Sequence, residues 1–388
     1  MIMLCGGILC RVCGEQYRYV MIAMIVILIG IVIHDPLFLG EYTDYLALYY
    51  RSPNSVLSGY PYVDYEFEYT PIIAVLWLAA SKIALYLSTH GYDPFLSMVR
   101  SLFAINIFFY IAYVYIIYRI SRERGIPRIL SILSIASPSI VYYLFYNWDI
   151  IATFLMILGI FLYTKNKIYG SSITLGLGAS VKVIPIYALF SIFITILASR
   201  IGRAMLFALL GFSVAALPFL ALLLMYPPGF FYFLSYHSRW YCENCFYNLL
   251  TDDIYDQSLR TLSIVLTLSA PFIYTIVSRN KYIQEPGAIS MRTPLMSVAL
   301  SISFSYIYSP QMNIFLAPLY LLLNNGLKYL LLIQDILNVM IMILWFHEGV
   351  ITSMIGIESR GPWFRESPIQ WIAFVRIALI WVLAIVAR

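Results

Sequence analysis

The chain has 388 residues, of which 62% are hydrophobic and only 11% charged, and its formal net charge is +5. Because soluble domains carry roughly 25% charged residues, this composition excludes a disordered, collagen-like or disulfide-scaffolded protein and an ordinary soluble enzyme, and it predicts a polytopic membrane protein. In such a protein the positive charge reports topology and does not indicate a nucleic-acid partner.

The membrane segments are predicted from apolar runs, since a spanning helix requires about 20 mostly apolar residues. Residues 1–18 form a tail that we expect in the cytoplasm, and Tyr19–Ile33 follows as a retained anchor because no cleavage site comes after it. The later apolar runs are, in chain order, Pro71–Ser88, Leu96–Tyr118, Ile129–Phe145, Ile150–Tyr163, Ser171–Ala198, Ala204–Met225, Leu259–Val277, Pro294–Tyr308, Met312–Leu323, Tyr329–Phe346 and Ile369–Ala387. The pattern predicts an all-α bundle of about 11–13 helices in one transmembrane domain over residues 19–388.

Two of these runs are not expected to cross the membrane once. Pro71–Ser88 is short and carries Lys82, and we expect it to lie along the outer surface. Ser171–Ala198 is predicted to form a hairpin that turns near Lys182–Pro185. With these assignments most of the 24 Lys and Arg residues fall on the side of the N-terminus, which the positive-inside rule identifies as the cytoplasm. Both termini are then cytoplasmic.

Most of the 19 acidic residues fall on the opposite, extracytoplasmic side. They lie mainly in a first outer loop, residues 34–95, which includes the surface helix, and in a later outer loop, residues 226–257. The positive-inside rule does not depend on acids, so their distribution independently indicates that the polar chemistry is on the outer face. Neither loop can hold a nucleotide-binding domain of roughly 100 residues or more, so ATP-driven transport is not expected.

Asp44 stands in the first outer loop, shortly after the first predicted span and among several tyrosines. Partial desolvation by these rings would raise the basicity of its carboxylate and suit it to act as a general base. The alternative is that Asp44 caps a surface helix that begins at Tyr45. Spacing alone favours the capping role.

Three further acids of the first outer loop, Asp64, Glu66 and Glu68, alternate with aromatic residues that end at Tyr69. In an extended segment this alternation places the three carboxylates on one face. They would bind a cation or sugar hydroxyls there, or else form a solvated edge, and the pattern does not favour either role.

Asp149 and Lys182 stand at two other turns. Asp149 follows a tight turn between two spans, so we expect it at the membrane surface, where it binds substrate or caps the next helix. Lys182 interrupts an apolar run, where an ammonium group is costly and by default indicates function. If the hairpin apex opens into an outer cavity, Lys182 meets a phosphate there. The alternative is that it snorkels to the surface.

The later outer loop carries His237, Arg239 and Glu243 close together. Arginine binds phosphate bidentately, and histidine can add a second donor. The alternative is an interfacial belt in which aromatic residues such as Trp240 anchor the loop. The nearby Cys242-x-x-Cys245 pair could form a disulfide on the outer face.

In order and spacing, these segments resemble the GT-C class of membrane glycosyltransferases, which take sugar from a polyprenyl phosphate. The resemblance is to the catalytic subunit of GPI mannosyltransferase I and to bacterial polyprenol-phosphate-mannose-dependent α-mannosyltransferases. The matching motifs are Asp44-Tyr45, Gly59-Tyr60-Pro61-Tyr62, Glu68-Tyr69-Thr70-Pro71, Asn147-x-Asp149, Lys182 with the preceding Gly176 and following Pro185, Tyr236-His237-x-Arg239 with Glu243-Asn244, and Gln311 before Pro318.

The resemblance implies an outer-facing active site in which Asp44 activates the acceptor hydroxyl. A sugar, with mannose favoured, passes with inversion from a polyprenyl (dolichyl) phosphate to a lipid-linked or glycan acceptor. Arg239, His237 and Lys182 are then expected to bind the donor phosphate. The other substrate-binding candidates are Asp64, Glu66, Glu68, Tyr69, Asp149, Glu243 and Gln311. The GPI enzyme has an Asp-x-Asp pair at this position. In this chain Tyr42 replaces the first acid and Asp44 is the second, so neither a metal nor another cofactor is indicated.

Two functions of other classes remain as alternatives. A secondary transporter would pair ionisable groups at the bilayer midplane. Here most acids are expected at one surface, and only Asp335, Arg376 and Lys182 are expected to lie deep in the membrane. A non-catalytic lipid-binding subunit would tolerate neutral substitution of its outer acids. A transferase instead requires Asp44, Arg239 and an open lateral groove around one cavity. The site would face the cell exterior in a prokaryote and the endoplasmic reticulum lumen in a eukaryote.

Overall fold

The computed structural model describes residues 8–282, 286–323 and 326–386, and these ranges are mainly helical. The helices are α1 (Ile8–His34), α2 (Asp44–Arg51), α3 (Pro53–Ser58), α4 (Pro71–Ser88), α5 (Pro94–Arg124), α6 (Arg128–Ile135), α7 (Pro138–Tyr143), α8 (Asp149–Thr164), α9 (Ile168–Val181), α10 (Pro185–Leu197), α11 (Ile201–Met225), α12 (Pro227–Ser238), α13 (Gln257–Tyr282), α14 (Pro286–Phe304), α15 (Leu327–Trp345), α16 (Glu348–Ile355) and α17 (Pro368–Val386), with 3₁₀ helices at Phe246–Leu249 and Pro310–Leu322. The predicted all-α polytopic bundle is confirmed.

Seven helices within the described residues are long and apolar enough to cross a membrane. They are α1, α4, α5, α11, α13, α15 and α17. Their outward faces expose large apolar side chains, such as Leu224 at 75% and Met225 at 84% exposure. Continuous apolar surface of this kind is stable in lipid and aggregates in water, so the protein is an integral, multi-pass membrane protein.

Proline and short polar side chains set many of the helix starts. The first helical position is proline in, among others, α4, α5, α10 and α17, where its missing N–H needs no acceptor. Thr43 caps α2 by accepting a hydrogen bond from the Leu46 N–H at 3.1 Å. The carboxylate of Asp93 caps α5 in the same way. The predicted boundaries of Pro71–Ser88 are confirmed at both ends.

Several predicted runs divide differently in the structure. Ile129–Phe145 is not one helix, because Pro138 forces Ser137 into an extended conformation and separates α6 from α7. Met312–Leu323 forms most of a 3₁₀ helix rather than a spanning α-helix. The later outer loop contains α12, which the sequence did not predict. The described residues therefore form more helices than expected, and several of them are short.

The predicted hairpin is confirmed. α9 and α10 are separated only by Lys182, Val183 and Ile184, so the apex of the hairpin is tight. Gly176 allows the approach of α11, because a Cβ at this position would collide with the backbone oxygen of Gly211. The Ser172 hydroxyl also donates to the Phe207 carbonyl at 2.5 Å. This close packing holds the hairpin, and with it Lys182, against α11.

One ion pair fixes the level of the first outer loop. Asp35, just after α1, pairs with Arg100 in the second turn of α5 at 3.0 Å. The end of α1 and the start of α5 therefore lie side by side at the same height in the bundle. Residues 36–93 form a connection that begins and ends at this height. α4 lies within this connection, and its Lys82 ammonium donates to the Ser58 carbonyl of α3 at 2.9 Å.

Candidate active site

A cavity of about 690 Å³ lies between the first outer loop, the turn before α8, the hairpin apex and the later outer loop. Parts of the chain that are distant in sequence meet at its wall. Of the residues that the sequence singled out, the cavity is lined by Asp44, Glu68, Tyr69, Asp149, Lys182, His237, Glu243 and Gln311. The lining also includes apolar side chains, among them Ile184 and Ile302, and the ring of Tyr187.

Asp44 is the first residue of α2, and its carboxylate is not used as a cap. Because Thr43 fills the capping position, the capping role considered for Asp44 is wrong and its carboxylate faces the cavity. The Tyr69 hydroxyl donates to Asp44 Oδ2 at 2.7 Å, and Asn147 Nδ2 donates to the same oxygen at 3.2 Å. Among the described residues both hydrogen bonds therefore fall on Oδ2, and Oδ1 is left for a substrate.

The surroundings of Asp44 raise its basicity. Burial raises the pKa of Asp44 to about 7, against the opposing effects of the hydrogen bonds from Tyr69 and Asn147 and of the Lys182 charge. Desolvation dominates because both direct partners are neutral. A carboxylate with a pKa near neutrality is partly ionised at pH 7 and can take up a proton during a reaction, as a general base must.

Asn106 holds the loop that carries Asn147, and sequence reasoning missed it. This residue of α5 is buried, and its amide Nδ2 contacts the carbonyls of Leu144 and Asn147, both at 2.8 Å. It also donates to the Tyr45 hydroxyl at 2.9 Å. The Asn147 side chain in turn accepts the Asp149 backbone N–H at 2.9 Å. Asn106 thus ties α2 to the turn before α8.

Asp149 and Lys182 form an ion pair at the cavity wall. The Lys182 ammonium donates to Oδ1 and Oδ2 of Asp149 at 2.5 and 2.7 Å. The side chain of Asp149 is 3% exposed and that of Lys182 is 23% exposed. Lys182 therefore does not snorkel, and the capping role for Asp149 is wrong. An ammonium has three N–H donors, so one remains for a ligand in the cavity.

A second ion pair, between Arg51 and Glu68, lies at the opposite end of α2 from Asp44. Both contacts, Nη1 to Oε2 and Nη2 to Oε1, are 2.7 Å long, which is the bidentate geometry. Sequence reasoning missed Arg51. The signal was present, because Asp44, Ala47 and Arg51 are spaced for one face of a helix, and all three line the cavity.

Glu243 stands in a turn closed by the Cys242–Cys245 disulfide. Trp240 Nε1 donates to its Oε2 at 2.7 Å. Burial raises the pKa of Glu243, and hydrogen bonds from Ser309 and Trp240 oppose the shift. Neutral donors therefore hold this carboxylate, as they hold Asp44. The Glu243 carboxylate is suited to accept hydrogen bonds from hydroxyl groups.

Three of the predicted site residues do not line the cavity. Arg239 is exposed beyond the end of α12, and Glu66 is also exposed. Asp64 closes a turn by accepting the Tyr60 N–H at 2.7 Å. The predicted common face of Asp64, Glu66 and Glu68 is not found, because Asp64 and Glu66 are exposed whereas Glu68 is buried and lines the cavity.

His237 does line the cavity, but its character differs from the expected one. Desolvation lowers the pKa of His237, and the hydrogen bond to the Phe233 carbonyl opposes this. Its Nδ1 lies 2.9 Å from that carbonyl. In the neutral tautomer with the proton on Nδ1, the other ring nitrogen accepts a hydrogen bond and does not donate one. Lys182 and Arg51 are therefore the cations that line the cavity within the described ranges.

The sequence model of glycosyltransferase family 87 matches residues 67–289. This range covers more than half of the chain and includes most of the cavity-lining residues, among them Glu68, Asp149, Lys182 and Glu243. No curated protein matches the chain. The match agrees with the helical membrane fold and with a cavity that holds acids and cations side by side. The chain therefore belongs to glycosyltransferase family 87 and is a membrane glycosyltransferase.

Proposed function

We propose that this glycosyltransferase moves a hexose, mannose in view of the resemblance, from a polyprenyl phosphate sugar to a hydroxyl of a lipid-linked or glycan acceptor. Transfer takes place on the extracytoplasmic face, with inversion, and Asp44 is the general base. The observation that carries the proposal is the Asp44 carboxylate in the cavity wall, where two neutral donors bind Oδ2 and no donor of the described residues binds Oδ1.

The reaction is a single displacement at the anomeric carbon. Asp44 Oδ1 accepts the proton of the acceptor hydroxyl as that oxygen bonds to the anomeric carbon. The bond from this carbon to the phosphate oxygen breaks, and the lipid phosphate leaves with the electron pair. A phosphate needs no general acid, so one carboxylate is sufficient, whereas glycoside hydrolysis usually requires two.

Cations must stabilise the charge that develops on the leaving phosphate. Lys182 has a free N–H after its contacts with Asp149, and Arg51 is fixed by Glu68 with its side chain 44% exposed. We assign the donor phosphate to Lys182, with Arg51 in the role that the sequence gave to Arg239. The apolar residues of the cavity wall, among them Ile184, Tyr187 and Ile302, suit contact with the polyprenyl chain.

Three observations support an extracytoplasmic site. Most Lys and Arg residues lie on the other side in the topology derived above, and a disulfide next to the cavity suits an oxidising compartment. The Asp35–Arg100 ion pair supports a first outer loop that makes no net crossing, although α4 is long enough to span. The transporter alternative fits less well, because many ionisable groups gather at one cavity instead of pairing at the midplane.

A donor screen with the purified protein tests the proposal. Polyprenyl phosphates that carry mannose, glucose or galactose, and the matching nucleotide sugars, are offered with a membrane glycolipid extract as the source of acceptors. We expect transfer from a polyprenyl phosphate sugar, fastest with mannose, and none from nucleotide sugars. Transfer from a nucleotide sugar alone would overturn the proposed donor class. Binding of the lipid donor without turnover would favour the non-catalytic subunit.

The pH dependence of transfer should report Asp44. Its pKa is raised to about 7, so below pH 7 the base is increasingly protonated and cannot accept the hydroxyl proton. We expect kcat/KM to fall tenfold per pH unit on the acid side and to be about 100-fold lower at pH 5 than on the plateau above pH 8. A profile that stays level from pH 5 to pH 8 would contradict a catalytic base with a pKa near 7 at this position.

A further inference from the structure

Arg376 is a cation in the middle of α17, inside the helical bundle. Its side chain is completely buried, with 0% exposure. No carboxylate of the described residues forms an ion pair with it; its polar partners are neutral oxygens. An unpaired buried charge is costly, and inside a membrane protein such a group by default indicates function. The contacts of the guanidinium indicate what that function is.

The guanidinium joins two loops of the cavity wall. Nη2 donates to the carbonyls of Asn244, at 3.2 Å, and of Tyr308, at 3.0 Å. The charge also lies over the Tyr308 ring, 3.6 Å from its centroid, which adds a cation–π attraction. Asn244 follows Glu243 in the disulfide-closed turn, and Tyr308 precedes Ser309. Both carbonyls therefore belong to residues that are next in sequence to residues lining the cavity.

The same two loops are paired along their backbones. The Glu243 N–H donates to the Tyr306 carbonyl at 3.1 Å, and the Tyr308 N–H donates to the Glu243 carbonyl at 2.9 Å. Two backbone hydrogen bonds alone are too weak to fix side chains to a fraction of an ångström, since each contributes about 1 kcal/mol. Charge-assisted bonds from a rigid transmembrane helix are stronger.

The other end of the guanidinium continues the support. Nη1 donates to Asn338 Oδ1 at 2.5 Å, and Asn338 Nδ2 contacts the Pro310 carbonyl at 2.8 Å. Pro310 precedes Gln311 on the cavity wall. Through one guanidinium, α17 and α15 thus hold the backbone on both sides of the segment from Tyr308 to Gln311.

We propose that Arg376 is a positioning residue for sugar transfer, which holds the loops of Glu243 and Gln311 in the geometry that binds the sugar. It lies outside the range matched by the family model. This inference rests on the proposed sugar transfer and on a role of Glu243 in it, and not on the identity of the donor or of the base. Because the test uses whichever donor supports turnover, its failure is distinguishable from failure of the proposed donor or base.

The test is a double-mutant cycle between Arg376→Met and Glu243→Gln, in membranes, with whichever donor supports turnover. We expect Arg376→Met to lower kcat about 100-fold, because displacement of a positioning group by about 1 Å costs this much, with less than a threefold change in donor KM. In the Glu243→Gln background the same substitution should cost less than about threefold. Arg376→Lys, which keeps a charged donor, should recover part of the lost kcat.

Trp381→Phe is the matched control. It removes a part-buried hydrogen bond on the same helix, from Trp381 Nε1 to Ser303 Oγ at 3.0 Å. The phenylalanine ring can still pack against Phe246 and Phe304, and the hydrogen bonds of Arg376 to Asn244 and Tyr308 are untouched, so this variant should keep wild-type kcat. Equal losses from Arg376→Met in both backgrounds would reduce Arg376 to a structural role and overturn the inference. If Arg376→Met does not insert, the cycle is run with Arg376→Lys, and additivity there has the same meaning.

Discussion

Asp44→Asn is expected to lower the rate of sugar transfer by about 10²- to 10⁴-fold, the usual contribution of a general base. The amide is nearly isosteric and can keep both contacts, with Tyr69 and with Asn147, so the cavity should keep its shape. What is lost is the ability to accept a proton. The measurement is the initial rate in membranes supplied with a polyprenyl phosphate sugar, normalised to the amount of inserted protein.

The control for Asp44→Asn is Asp253→Asn. Asp253 is an exposed acid whose carboxylate accepts only the nearby Tyr255 N–H at 2.9 Å in the described part of the chain, and an amide oxygen can do the same. This variant should transfer sugar at the wild-type rate. Donor binding by Asp44→Asn should also stay within a few-fold of wild type. Wild-type turnover by Asp44→Asn would remove Asp44 from the mechanism.

Lys182→Gln is expected to lower kcat/KM for the donor about 10- to 100-fold. This corresponds to the loss of one charge-assisted hydrogen bond of about 1.5–3 kcal/mol. The single variant should also be less stable, because it leaves the Asp149 carboxylate, which is 3% exposed, without its cation. Removing one partner of a buried pair costs about 3–5 kcal/mol of folding stability. We expect the lower end of that range, because Lys182 is partly exposed. The measurements are donor kinetics and thermal unfolding in detergent.

The double variant Lys182→Gln, Asp149→Asn separates the two effects. A neutral amide pair can hydrogen-bond without a buried charge, so thermal stability should return close to that of wild type. Donor kcat/KM should stay low, since no ammonium is present to meet the phosphate. Recovery of activity together with stability would mean that Lys182 only balances Asp149 and does not bind the donor.

The parts of the fold that sequence predicted well are those fixed by local rules. The limits of α4 follow from Pro71 and the end of an apolar run, and the hairpin of α9 and α10 follows from its length and from Pro185. Broken segments were harder to predict. Pro138 interrupts an apolar run that has the length of a span, and the 3₁₀ helix Pro310–Leu322 has the same apolar composition as an α-helix.

The errors at the site have two physical sources. The first is local. α2 begins at Asp44 rather than Tyr45. Asp44 is therefore itself helical, and Arg51, seven residues later, lies on the same face of the helix. The turn at Tyr60–Asp64 likewise breaks the alternation that had grouped three acids. The second source is tertiary. α12 ends at Ser238 and leaves Arg239 exposed, which no local pattern indicates.

Long-range partners could not be read from the sequence. Asn106 is one asparagine inside an apolar helix, and its importance appears only when two other segments, α2 and the turn before α8, meet at its amide. Arg376 could be recognised as an unusual charge in a span, but its contacts with Asn244 and Tyr308 join positions more than sixty residues apart. Sequence therefore identified which charged groups stand out, and only the structure shows which atoms they hold.

The most direct test of the central claim, a single displacement driven by Asp44, is the anomeric configuration of the product. The sugar linkage formed by the wild-type protein is determined by NMR and compared with that of the lipid phosphate donor. One displacement with Asp44 as base predicts inversion at the anomeric carbon. Retention would require an intermediate bonded to the protein or an equivalent second step, and it would contradict the assignment of Asp44 as a base.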